Sequence, residues 1–158
     1  MAFSQEAMEA SFLMSNMSPQ LSSFNGGIWN ELENLVRDWA YKYEEVYVVT
    51  GPVLDEKLKT RIGENQVAVP EMFYKVIMDI RGPDRKAIGF ILRNEMSEER
   101  LEKYAVTVDE VERLTGLDFY TFLLEDAEEE ALESVFDVNK WKFDEQLYQK
   151  RVNHWNNR

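Results

Sequence analysis

The chain has 158 residues, 44% hydrophobic and 30% charged, with a formal net charge of -12 and a pI of about 4.6. That length supports one domain with a real core, while the absence of cysteine excludes disulfides and thiolate metal sites. No apolar run approaches the ~18 residues of a membrane-spanning helix.

Residues 4–14 read as a short helix, with Ser4 and Glu6 as a cap-like start and Ala7, Met8, Phe12 and Leu13 as a partial apolar face. Residues 15–27 form a loop, because Ser15-Asn16-Met17-Ser18-Pro19-Gln20 and Asn25-Gly26-Gly27 break regular structure. A long helix follows over 28–43, its buried face drawn by Ile28, Leu32, Leu35, Val36, Trp39 and Tyr43. The β-branched run at 46–50 predicts a buried strand, ended by Gly51-Pro52. Residues 53–67 make a surface excursion with a turn at Gly63-Glu64-Asn65. Residues 73–80 and 86–93 predict an antiparallel hairpin about the turn 81–85. Residues 97–104 are a polar connection with some helical character. Thr107-Val108-Asp109-Glu110 resembles a capping box, opening a short helix that ends near Gly116. The acidic stretch 125–136 predicts a short amphipathic helix read as a solvated face rather than a metal site. Trp141, Phe143, Tyr148 and Trp155 punctuate a tail, 137–158, that either packs on the body or extends from it. Strands flanked by periodic helices give an α+β class with a central antiparallel sheet.

At about 100° per residue, Glu33 and Arg37 lie one turn apart on the flank of the long helix's apolar face. Asn25 stands at the mouth of that helix. An amide oxygen, a carboxylate and a guanidinium at one helix end suit a hard divalent cation and a phosphate. The same residues also suit a plain cap and a plain i,i+4 surface pair. The acidic balance runs against nucleic-acid binding, which leans on Lys and Arg. Net charge hides distribution, however: much of the acid lies at 125–133, and Arg37, Lys42, Lys75 and Arg93 allow a local basic site. Within its strand, Lys75 reads as a snorkelling or paired lysine rather than a direct phosphate contact.

Ser15-Asn16-Met17-Ser18-Pro19-Gln20, then Asn25, Trp29, Leu32-Glu33 and Arg37, resemble the core of the DNA/RNA non-specific endonucleases, the ββα-metal (His-Me finger) nucleases that include the endonuclease G group. The likeness continues through Val48-Val49-Thr50-Gly51-Pro52, through residues 69–77 and through 108–119, and so spans about 3–136. The resemblance implies a Mg²⁺-dependent endonuclease that hydrolyses phosphodiester bonds of DNA and RNA, with Mn²⁺ able to substitute. It implies Asn25 as the direct metal ligand, with Glu33 holding metal-bound water and serving catalysis. Arg37 would bind the scissile phosphate, and Asn16 and Gln20 would buttress the loop or reach the nucleic acid. No membrane partner is implied, and a homodimer follows by family analogy alone.

One departure qualifies this. The family's general base is the histidine of an Asp-Arg-Gly-His motif that precedes the Asn-bearing loop, and that motif does not occur here. The one histidine is His154, without a motif around it and read as an exposed tail residue. The expectation is therefore an N-terminally truncated endonuclease domain, 1–136, followed by the tail, and nearly inactive as it stands. A non-catalytic nucleic-acid-binding or interaction protein on the same scaffold, even an acidic mimic of nucleic acid, is the alternative. The compartment is unassigned; a signal peptide on a longer precursor would make the protein secreted or periplasmic.

Overall fold

Two long strands buried on both faces set the architecture. In the computed structural model, residues 17–55, 58–81, 83–121 and 123–156 are described together with Gln5, with backbone alone at 155 and 156. The helix expected at 4–14 lies, Gln5 apart, outside the described residues. A helical turn (Ser22–Phe24) and a wide π-type turn (Asn25–Trp29) lead into helix α1 (Asn30–Tyr43). Strands β1 (Tyr47–Pro52), β2 (Arg61–Ile62), β3 (Val67–Ala68), β4 (Met72–Asp79), β5 (Lys86–Arg93) and β6 (Ala105–Val106) follow, the last after a 3-10 turn at Leu101–Tyr104. Helices α2 (Val108–Thr115), α3 (Asp126–Glu133) and α4 (Glu145–Asn156) complete the order, with a 3-10 turn at Val138–Lys140.

The main sheet is antiparallel in the order β1-β4-β5-β6, and β2-β3 form a separate ribbon. The expected hairpin is present, in register from Met72 opposite Arg93 to Asp79 opposite Lys86. Strand β1 corrects the expectation of a buried strand. It lies at the sheet edge, and Val48 and Thr50 are exposed while their neighbours are half-buried. A run of β-branched residues specifies a strand, but its place in the sheet depends on partners elsewhere in the chain.

Side chains alternate between the two sheet faces. Phe73, Ile77, Ile88, Phe90 and Leu92 pack with Trp29, Leu32, Leu35 and Trp39 from the α1 side. Tyr74, Val76, Met78 and Ala87 pack with Val108, Val111 and Phe119 on the opposite face. Helix α2 begins with the expected capping box, Thr107 and Glu110 exchanging bonds, and ends on Gly116 with φ 72°. It approaches β5 closely because Gly89 lacks a side chain; a Cβ there would stand 2.8 Å from Val111 Cγ2 and 2.9 Å from the Thr107 carbonyl oxygen.

Residues 138–154 pack on the body. Trp141 is buried against Trp39, ring centroids 4.6 Å apart, and Trp39 donates its indole N–H to the Lys142 carbonyl at 2.8 Å. From α4, Arg151 reaches the buried Glu31 of α1 and donates also to the carbonyls of Ser97 and Glu99.

Candidate active site

The candidate site begins at an irregularity in the helix start. Gly27, with φ -102° and ψ -118°, departs from helical geometry, so the chain bends between Asn25 and α1. Phe24, Ile28 and Trp29 are buried around this bend, which anchors it to Phe73 of β4. Asn25 is left exposed. The 15–27 region is therefore less loop-like than expected, since Ser22–Phe24 is helical and Phe24 is fully buried.

Upstream, the loop is held by Asn94 at the end of β5. Its amide donates to the carbonyls of Pro19 (3.2 Å) and Pro70 (3.0 Å), and its Oδ1 accepts from the Leu21 N–H at 2.9 Å. Gln20 sits half-buried in this clamped stretch. Asn16 lies outside the described residues. Asn94 is a supporting residue that the sequence does not mark, because its partners are distant in the chain.

On α1, Glu33 is half-buried and Arg37 exposed. They form no ion pair within 4.0 Å of each other among the described residues. Arg37 instead donates to Asn34 Oδ1 at 2.9 Å, and Asn34 donates to the Asn30 carbonyl at 2.7 Å. A simple i,i+4 pair is therefore not what these residues make.

What Glu33 and Arg37 share is Lys75. It occupies the face of β4 that also carries Phe73 and Ile77, directly opposite Thr50 of β1, and is 5% exposed. Its ammonium lies 4.6 Å from the Trp29 ring centroid and donates to Thr50 Oγ1 at 3.2 Å. Burial lowers its pKa; the Glu33 carboxylate opposes that shift and the Arg37 guanidinium adds to it. Among the described residues Lys75 makes no ion pair; the Thr50 hydroxyl and the Trp29 ring hold its ammonium, which falls in one electrostatic group with Glu33 and Arg37. The signal for it is a lysine on the core face of a strand, where a buried cation needs a partner. The other members of the expected basic patch are otherwise engaged. Lys42 sits 4.8 Å from the Tyr43 ring centroid and Arg93 lies 3.6 Å from Glu95.

His154 is exposed, as expected, but not remote. It lines a cleft of ≈ 250 Å³ with Gly26, Asn30, Asn34 and Lys150, because α4 packs beside the start of α1. The sequence hides this, since nothing local says where a terminal helix docks.

The donor chemistry suits a hard divalent cation at the bend. Asn25 offers an exposed amide oxygen, and Glu33 a half-buried carboxylate, beyond the kink. Oxygen donors with open positions for water are what Mg²⁺ requires. Among the described residues no helix is long and apolar enough to cross a membrane.

Comparison with known proteins identifies the family. The family model described as DNA/RNA non-specific endonuclease matches residues 1–126. Mitochondrial endonuclease G of Homo sapiens is 35% identical over 134 residues, covering 77% of this chain and 45% of that protein. Nuclease C1 of Cunninghamella echinulata var. echinulata is 38% identical over 128 residues, covering 73% of this chain and 51% of that protein. A crystal structure of the EndoG/EndoGI complex superposes with a TM-score of 0.65 at 34% identity, covering 77% of this chain and 55% of that one. The chain thus spans about half the length of these relatives, or less.

Proposed function

The chain belongs to the DNA/RNA non-specific endonuclease family, and from that premise we propose that its bent helix start serves Mg²⁺-dependent hydrolysis of DNA and RNA phosphodiester bonds. The observation that carries this reading is that Glu33 and Arg37 both act electrostatically on the buried Lys75, which lies over the ring of Trp29, in the helical turn that the exposed Asn25 opens. A bound Mg²⁺ supplies charge neutralisation for the phosphate and the leaving oxygen. Asn25 would hold it directly, and Glu33 would orient water bound to it. Arg37, exposed and braced by Asn34, presents its fork to a phosphate. Lys75 is too buried to reach a substrate and acts as a positioning residue for Glu33 and Arg37.

None of these groups is a base for the attacking water. In the family resemblance that role belongs to the histidine of an Asp-Arg-Gly-His motif, which these 158 residues do not contain. We therefore expect this chain to bind metal and nucleic acid while nicking plasmid slowly, by ~10²–10⁴ relative to a protein with the base. The test compares this chain with one extended at its N-terminus by an Asp-Arg-Gly-His segment, each with Mg²⁺ and with EDTA. Fast nicking by the extended chain, abolished by Glu33→Ala, is the expected result. A folded extended chain that does not nick would favour the non-catalytic binder. Fast nicking by the short chain that disappears in His154→Ala would assign the base to His154.

A further inference from the structure

On the other face of the sheet, α2 and α3 bring acidic side chains together without a basic one. Asp109 and Glu112 are one turn apart on α2, and Glu133 is the last residue of α3. One carboxylate oxygen from each of the three lies within 4.8 Å of the other two. Glu133 is only 5% exposed, and its Oε1 is shielded from solvent with no hydrogen-bond partner among the described residues. Glu129, one turn earlier on α3, has an Oε1 in the same condition. Glu112 is held in place by the Phe119 N–H, which donates to its Oε1 at 2.7 Å. Among the described residues no Lys or Arg pairs with Asp109, Glu112 or Glu133, although Glu128 on the same helix pairs with Arg85. Buried acceptors left without a donor are costly, and a buried carboxylate normally has a cation or a metal beside it.

We propose that Asp109, Glu112 and Glu133 form a Ca²⁺ site that staples α3 to α2, separate from the Mg²⁺ site at Asn25 and Glu33. The donor set favours Ca²⁺. Three carboxylate oxygens within 4.8 Å of one another are hard ligands in no fixed octahedral frame, and Ca²⁺ takes about 6–8 oxygens where Mg²⁺ demands a near-ideal octahedron. Ca²⁺ also accepts irregular geometry, and the half-exposed Asp109 and Glu112 leave one side open to water. The site ties a helix lying almost wholly past the family-matched residues, 1–126, to one within them.

The experiment is a calorimetric Ca²⁺ titration of the metal-stripped 158-residue chain, with melting temperature followed in parallel. A site at the acidic cluster is expected, counted apart from any Ca²⁺ held at Asn25 and Glu33. Glu133→Gln and Asp109→Asn should each weaken it at least tenfold and remove the Ca²⁺-dependent rise in melting temperature, whereas Asn25→Ala and Glu33→Gln should leave it unchanged. Circular dichroism establishes that each variant is folded. Tb³⁺ luminescence sensitised by Tyr120, which senses the charge of Glu133, gives a second readout at the same place. Equal Ca²⁺ affinity in the wild type and Glu133→Gln overturns the proposal, as does the absence of binding up to ~1 mM, the weak end of protein Ca²⁺ sites. Loss of binding in Asn25→Ala but not in Glu133→Gln would place the ion at the other site and also overturn it.

Discussion

The two faces of the sheet handle buried charge in opposite ways. Beneath α1, each buried ion has a partner of its own. Lys86 meets Asp79 at 3.1 Å, Glu31 meets Arg151, and Lys75 lies between Thr50, the Trp29 ring and the charge of Glu33. Beneath α2 and α3, Glu133 is surrounded by the charges of Glu112, Glu129, Asp109 and Asp118, with no cation among them. A paired interior charge is part of the fold, and removing one partner breaks something. An unpaired acidic group is instead a place where an outside cation or a proton must enter. The α1 face carries its cations in the chain, and the α2–α3 face has to borrow one.

The largest effect should come from breaking a pair on the first face. Arg151→Ala strands the buried Glu31 carboxylate, whose pKa burial already raises against the opposing pull of Arg151. It also leaves the carbonyls of Ser97 and Glu99 without their donor. Urea unfolding should show a loss of about 3–5 kcal/mol, as for other broken buried pairs. A loss below about 1 kcal/mol would mean that the paired face is no better compensated than the acidic one.

The second face should respond to pH instead. Burial first, then the neighbouring carboxylates, push Glu133 up to about 8 from an ordinary 4.5. Between those values the folded chain holds a proton that the unfolded chain has released. Stability of the metal-free chain should therefore be greatest below pH 4.5, fall as pH rises, and level off above about 8. The slope should be at most on the order of 1 kcal/mol per pH unit. Urea titrations across this range should show the fall in the wild type and a flatter profile in Glu133→Gln. Saturating Ca²⁺ should also flatten it, since the metal ion replaces the proton as counter-charge.

These contrasts also explain what is legible in the sequence. The hairpin at 72–79 and 86–93 is legible because its apolar runs flank a Gly-Pro turn, and α2 because Thr107, Glu110 and Gly116 encode its ends locally. The α1 periodicity follows from spacing within a few turns, whereas Asn25, Glu33 and Arg37 stand out as candidates only through the family resemblance. What escapes is whatever depends on distant partners. The edge position of β1, the clamp by Asn94, the docking of α4 beside α1 and the short strand β6 all require contacts across the chain. The acidic stretch 125–136 shows the limit most clearly. Its composition reads as a solvated face, yet its last helical residue, Glu133, is buried, which no local pattern announces.

The smallest effect tests the contrast most directly, by making the first face resemble the second. Lys75 supplies a built-in cation beside Glu33, so it competes there with any metal ion. Lys75→Met keeps the length of the buried stem and its packing on Trp29 while deleting the charge. The fold should survive, because a similar-volume replacement in a core is tolerated and the cost of burying the ammonium disappears with it. Glu33 then loses a neighbouring counter-charge, and Mg²⁺ affinity should rise about fivefold, on the order of 1 kcal/mol. The measurement is a Mg²⁺ titration in a Glu133→Gln background, so that the acidic face contributes nothing. The salt dependence of DNA binding should be unchanged in the same variant, because a residue 5% exposed has no phosphate to release counterions from. A salt slope lower by about one, with Mg²⁺ affinity unaltered, would show instead that Lys75 touches the nucleic acid. It would then belong with Arg37 among the substrate-binding groups rather than behind them.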